Sequence, residues 1–266
     1  MRASAILTYR GGRGDEGRGN LDAVLRRLAR ERDLETIVVE EDTCPRLAAS
    51  PAHPDARIVF AYRDGPLLEG WGRNVGARHA AGEVLLFGDA RTIVPGGFAA
   101  AVAQCSRHGQ VVKPHGPIVE LTPGESECLR DRGPDEELSF AGGIRTRARI
   151  ADDPLPLCSG WFGIRRDAFL AIGAFDERFA DAGALDESMS MKVERARLST
   201  CEIDERPALR LDGPCPRGAA SGHANGAQDR ALLDDYARYD DASLERLIAV
   251  QRQLHGRRDK YVPDER

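Results

Sequence analysis

The sequence predicts an α/β domain built on a mainly parallel sheet, followed by a C-terminal helical extension. Three observations carry this. Short apolar runs alternate with helix-period patterns through the first half of the chain. The same strand-then-helix rhythm resumes at Ser159 after a charged, Gly/Pro-rich interval. The segment from Asp229 to Leu254 shows helical periodicity only. Strand–helix–strand repetition is the pattern of βαβ units, whose crossovers leave neighbouring strands parallel.

Ala3 to Thr8 reads as the first strand. Asn20 is placed to cap a helix whose apolar side is Leu21, Val24, Leu25 and Leu28. Thr36–Glu40 and Ala56–Ala61 read as the second and third strands, Asn74–Ala81 as a helix of small residues, and Val84–Phe87 as the fourth strand. Pro95 opens a further helix bearing Phe98 and Val102. Residues 121–156, rich in charge, Gly and Pro, read as a loop or lid excursion with little regular structure. Residues 159–164 read as a strand, with helices following at 167–172 and 186–197. Leu232, Leu233, Tyr236, Leu244, Leu247 and Ile248 give the last segment an apolar face, as one or two helices. The expected organisation is one domain over 1–225 and the helical extension over 226–266.

The 266 residues are ample for a buried core, and 41% hydrophobic with 30% charged residues is an ordinary globular balance. A formal net charge of -5 argues against a general nucleic-acid binder. The cations are almost all arginine, the lysines being Lys113, Lys192 and Lys260. In an Ala- and Gly-rich chain this reads as GC-rich coding and says nothing about phosphate binding. The six cysteines form no C-x-x-C pair and no zinc spacing. With a strand-like N-terminus and no apolar run near the ~18 residues of a membrane span, the expectation is a cytoplasmic protein with at most peripheral membrane contact.

Ligands of parallel α/β sheets bind at the carboxyl ends of the strands. Thr8, Tyr9 and Arg10 follow the first strand, Glu40, Glu41 and Asp42 the second, Arg63 and Asp64 the third, and Asp89 and Arg91 the fourth. Arginines suit phosphates, and carboxylates suit ribose hydroxyls, so this edge suits a nucleotide diphosphate. The GGRGDEGRG stretch matches neither a phosphate-binding P-loop nor a dinucleotide fingerprint, and reads as a flexible loop.

Six segments, in order, resemble family 2 glycosyltransferases of the GT-A fold. AILTYR at 5–10 is similar to their V-I-P-T-Y-N, and IVVEEDT at 37–43 to I-V-V-D-D-G-S. GRNVGA at 72–77 with AAGE at 80–83 is similar to A-R-N-x-G…A-x-G-E, and FGDARTIVP at 87–95 to F-L-D-A-D-x-x-x-P. GIRRDAF at 163–169 and IGAFDERF at 172–179 resemble R-R-x-x-F-x-x-I-G-G-F-D-E-x-F. The resemblance implies a GT-A α/β/α sandwich that transfers a sugar from a nucleoside-diphosphate sugar, such as a UDP-sugar, to an acceptor hydroxyl with inversion. It implies that Thr8 and Tyr9 flank the base, with Arg10 beside them. Glu40 would meet the base or ribose, and Arg73 and Asn74 the nucleotide and phosphates. Asp89 would be the first carboxylate of D-x-D, Asp186 the general base, and His223 a late metal ligand. Trp161 and Phe162 are candidates for an acceptor-stacking platform or for core.

Two positions depart from the family pattern. The second D-x-D aspartate is Arg91, and the glutamate of the family's E-D is Leu185. Three readings stay open: Arg91 holds the diphosphate without metal, Mn²⁺ or Mg²⁺ binds through Asp89 and His223, or the donor site is degenerate. Asp186 also reads as a helix N-cap, and His223 as a solvent-exposed loop residue. The expected acceptor is a soluble natural-product aglycone or small metabolite, or a glycan. The alternative function is a degenerate GT-A protein acting as a sugar-nucleotide-binding or scaffold partner. A nucleotidyltransferase is disfavoured, because the first loop lacks the proline and lysine of that signature.

Overall fold

The computed structural model describes residues 2–11, 17–47, 53–131, 149–151, 160–180, 182–203, 207–213 and 226–263. In chain order the elements are β1 (Ala3–Tyr9), α1 (Arg18–Leu28), β2 (Leu34–Asp42), β3 (Arg57–Tyr62), α2 (Glu69–His79), β4 (Val84–Asp89), β5 (Thr92–Ile93), α3 (Phe98–Cys105), β6 (Val111–Lys113) and β7 (Ile118–Glu120). Then come α4 (Pro123–Asp131), β8 (Arg149–Ala151), β9 (Phe162–Arg165), α5 (Arg166–Ala171), α6 (Ala182–Arg195), β10 (Thr200–Glu202), β11 (Ala208–Arg210), α7 (Gly226–Arg238) and α8 (Asp241–Leu254).

The main sheet runs β10-β6-β9-β4-β1-β2-β3 and is parallel except for β9, which is antiparallel to β4 and β6. A second sheet, β5-β11-β7-β8, lies beside it. Alternate residues of the central strands feed two cores. Ile6, Ile37, Val39 and Phe87 join one cluster, and Leu7, Val38 and Leu86 the other. Strands covered on both faces read as continuous apolar runs, which is why β1, β2 and β4 were visible in the sequence.

Helix α2 begins at Glu69, five residues before its predicted start. Gly70 and Gly72 hide that first turn, since glycine is a weak helix former. Gly72 is there because the helix lies almost on the strands, and Gly70 because Leu185 of α6 and the Asp176 carbonyl pack against it. A Cβ at Gly76 would sit 2.3 Å from Ile6 Cγ2, and one at Gly72 2.1 Å from Glu41 Oε1. Asn20 lies inside α1 and caps nothing: its Nδ2 donates to Asp212 O, and its Oδ1 accepts from Arg130 Nη1 at 2.8 Å.

The interval expected to be irregular contains α4, with β8 close to its end. A reciprocal capping box starts that helix. Thr122 N–H and Oγ1 donate to Glu125 Oε2, and Glu125 N–H donates back to Thr122 Oγ1. Pro123 occupies the first helical position, where its missing N–H costs nothing.

The C-terminal pair α7 and α8 sends Leu233, Tyr236 and Leu244 into the first core. A buried polar network fastens it there. Lys192 Nζ donates to Ala174 O and Gln251 Oε1, Tyr236 Oη donates to Asp176 Oδ2, and Arg178 grips the same carboxylate. Burial pushes the Lys192 amine down to about 8. Cys105 and Cys201 are joined as a disulfide between the end of α3 and β10, a pairing their spacing does not reveal. Among the described residues, no helix is long and apolar enough to cross a membrane.

Candidate active site

Parallel register sets the site. Thr8 pairs with Val39 on one side and Asp89 on the other, and Asp42 pairs with Tyr62. The carboxyl ends of β1, β2, β3 and β4 therefore open on one edge. Thr8 and Tyr9 stand there but are only 3% and 4% exposed, so each offers little surface to a base. Arg10 follows them, partly buried, with Nη1 buried and unbonded.

Glu40 is fully buried, and its Oε1 accepts from the backbone N–H of Arg46 and Leu47 at 2.8 and 2.9 Å. It organises the loop after β2, while its Oε2 stays buried and unpartnered. Glu41 accepts from Leu68 N–H at 2.9 Å. Burial pushes its carboxyl up to about 8, against the opposing pull of Arg63 and Arg10.

Two predicted residues meet directly. Arg73 Nη1 reaches Asp186 Oδ1 at 3.2 Å, and Arg73 Nη2 reaches Glu69 Oε2 at 3.2 Å. The guanidinium also lies 5.2 Å from the centre of the Phe175 ring. Asp186 sits within α6 and does not cap it. Leu185, one position earlier, packs against Gly70 in the first turn of α2. The glutamate position of the family motif is therefore a helix contact here.

Asn74 does other work than the phosphate contact implied by resemblance. It is fully buried, its Nδ2 donates to Phe175 O and Glu177 Oε1 at 2.9 Å each, and its Oδ1 accepts from Phe175 N–H at 3.0 Å. The amide clamps the turn after α5, and with both of its N–H donors used it has none left for a phosphate.

Trp161 and Phe162 are core, not an acceptor platform. Both are at most 2% exposed. Trp161 packs edge-on to Phe98 and lies over Gly88, where a Cβ would come within 2.4 Å of the indole. Its Nε1 donates to Thr92 O at 2.7 Å. Phe162 joins Phe87 and Phe175. His115 is buried beside Trp161. Its Nε2 faces Trp161 N–H at 3.2 Å and its Nδ1 faces Gly116 O at 2.7 Å, which places the proton on Nδ1. Burial lowers its affinity for a second proton.

Asp89 ends β4 in a tight turn. Its Oδ1 accepts from Arg91 N–H at 2.7 Å and its Oδ2 from Thr92 Oγ1 at 3.0 Å. Arg210 Nε, from β11, stands 4.0 Å from Oδ2. Arg91 Nη1 turns to Gly213 O at 3.2 Å. Each carboxylate oxygen accepts a hydrogen bond, the Arg210 guanidinium stands beside Oδ2, and Arg91 occupies the position of the motif's second aspartate, so a divalent ion at this turn would meet one carboxylate and adjacent positive charge among the described residues. Among the described residues, no three His, Cys, Asp or Glu side chains group as metal ligands. His223 lies outside the described residues.

No protein-family model matches the chain, and no curated protein matches it in sequence. Solved structures of S. aureus TarS do match in fold. TarS 1-349 in complex with UDP-GlcNAc superposes with a TM-score of 0.60 at 16% identity, covering 94% of this chain and 71% of that one. TarS 1-349 in complex with UDP gives 0.56 at 16% identity, covering 94% of this chain and 65% of that one. With the seven-stranded sheet flanked by helices on both faces, the likeness shows the fold, a GT-A α/β/α sandwich.

Proposed function

We propose that this chain transfers a sugar from a nucleoside-diphosphate sugar to an acceptor hydroxyl, with inversion. The observation that carries the reading is the buried Arg73–Asp186 pair at the carboxyl edge of a GT-A sheet. It sets an oriented carboxylate beside the helix that covers Thr8 and Glu41. Asp186 would take the proton of the acceptor hydroxyl as its oxygen bonds to the anomeric carbon. The bond from that carbon to the diphosphate oxygen breaks, and negative charge grows on the leaving phosphate. Arginine at the Asp89 turn, Arg91 among it, would meet that charge in place of a metal. The TarS structures with UDP-GlcNAc and UDP support a nucleotide-sugar donor. A small soluble acceptor or a glycan fits the reading.

The test is transfer and donor hydrolysis by wild type and Asp186→Asn, in chelator and in Mn²⁺. The variant should keep UDP binding and lose about 100-fold or more in turnover. Wild-type turnover in Asp186→Asn would sink the base assignment, and activity abolished by chelator would sink the metal-free site. A second reading, donor binding without chemistry, rests on Arg91 and Leu185. Sugar-nucleotide binding with neither transfer nor hydrolysis would favour it.

A further inference from the structure

We propose that Arg210 is the principal cation that receives the donor's diphosphate beside Asp89. The inference rests on the nucleotide-sugar reading and adds a residue that no motif marks.

Arg210 comes from the second sheet. Antiparallel pairing of β11 with β5 sets it opposite Thr92, the residue whose hydroxyl bonds Asp89. The pairing therefore delivers the guanidinium to the turn where the family motif carries its second carboxylate. There it is balanced only at a distance, with Nε 4.0 Å from Asp89 Oδ2 and Nη1 3.7 Å from Glu120 Oε1. Neither approach is a hydrogen bond. Nε is buried and makes none.

A buried Nε–H without an acceptor is unfavourable unless something meets it, and the rest of the side chain stays partly open to an incoming ligand. The planar fork of the guanidinium matches two oxygens of one phosphate, or one from each of two. Arg91 is the obvious candidate from sequence, and its Nε is likewise buried and unbonded, but its Nη1 is drawn to Gly213 O, which leaves less of its fork for a phosphate. Asp89 accepts from its own turn through both oxygens, so it acts as a positioning residue, holding Thr92 and Arg210 in place. A diphosphate entering here would exchange two long carboxylate contacts for short charge-assisted bonds, and no divalent ion is needed to bridge anion to carboxylate.

The experiment is calorimetric titration of UDP, GDP and dTDP into the full chain, in chelator and then in Mn²⁺. Wild type, Arg210→Gln, Arg210→Lys and Arg91→Gln are compared, each with its ligand-free melting temperature. Wild type should bind one nucleotide in chelator, with Mn²⁺ tightening it less than threefold. Arg210→Gln should weaken binding by about 10- to 100-fold, the loss of charge-assisted hydrogen bonds. Arg210→Lys keeps the charge without the fork and should fall between. It also serves if the glutamine variant does not fold. Arg91→Gln should weaken binding by a smaller factor. Equal binding by wild type and the Arg210 variants overturns the inference, as does a larger loss at Arg91 or a tenfold gain from Mn²⁺. No binding of any of the three nucleotides by wild type overturns the nucleotide-sugar reading itself.

Discussion

Replacing Asn74 with alanine separates a structural role from the phosphate role that resemblance implies. The side chain makes three hydrogen bonds, two of them to the backbone of Phe175, which is 1% exposed. Truncation leaves the Phe175 N–H and C=O without partners and away from water. Each stranded group costs about 1–3 kcal/mol, so the pair costs about 2–6 kcal/mol. Total stability of a native protein is only about 5–15 kcal/mol, and one kcal/mol moves the melting temperature by roughly 2–4 °C at this size. Asn74→Ala should therefore melt roughly 5–20 °C below wild type. Asn74→Asp keeps the acceptor for Phe175 N–H but loses both donors and sets a carboxylate against Glu177, so it should do no better. Calorimetric melting gives the first quantity, and UDP titration well below the transition gives the second. The folded variant should bind UDP within about threefold of wild type. An unchanged melting temperature with tenfold weaker UDP binding would refute the clamp and restore the phosphate contact.

Glu41 makes stability depend on pH. Its folded carboxyl titrates near 8, above the unfolded value of 4.5, so the native state binds the extra proton between those values and stability falls as pH rises across that window. Glu41→Gln should be more stable than wild type at pH 8, with the gap closing toward pH 5 in denaturant unfolding. Trp161→Phe removes the donor to Thr92 O from a buried site and should cost about 1–3 kcal/mol while leaving acceptor KM unchanged, where an acceptor platform would raise it. Gly76→Ala drives a Cβ to within 2.3 Å of Ile6 Cγ2. Overpacking of about 1–3 kcal/mol should exceed the ~1 kcal/mol gain in helix propensity, read as a lower denaturation midpoint.

The strands were legible because both of their faces are buried, so β1, β2 and β4 appear as β-branched and leucine-rich runs bounded by polar residues. Helix starts were less so. The first turn of α2 is written in glycines whose reason is tertiary, α6 against Gly70 and the strand surface beneath Gly72. The start of α4 was written openly as Thr122-Pro123-Gly124-Glu125, a capping signature masked by the surrounding charge. Within the site, residue type misled where one side chain has two uses. Asn74 and Trp161 both match roles at a ligand edge, and both have all of their side-chain N–H donors taken by neighbours. Arg210 carried no local signal, since it lies in a plain Ala-Leu-Arg-Leu run and acquires meaning only through pairing with β5.

Helix α2 explains why the candidate site tolerates so little change beneath it. One side meets the sheet through glycines, with Gly76 against Ile6 and Val39 and Gly72 against Thr8 and Glu41. Its Asn74 holds the turn at Phe175 and Glu177, and its Arg73 holds Asp186 of α6. The C-terminal tail closes over the same helix, with Trp71 Nε1 donating to Arg257 O and Gly256 lying against the Asn74 carbonyl. The carboxylate assigned as base is thus placed by α2, and the position of α2 is set by how closely glycine lets it approach the strands. Interiors packed this tightly transmit small displacements instead of absorbing them. A methyl group added at Gly72 would push the helix away from Thr8 and carry Arg73, and with it Asp186, off the donor edge. Loss of turnover out of proportion to loss of stability would then come from a position that touches neither substrate nor the reacting atoms, because a misplacement of about 1 Å can cost 100-fold in rate.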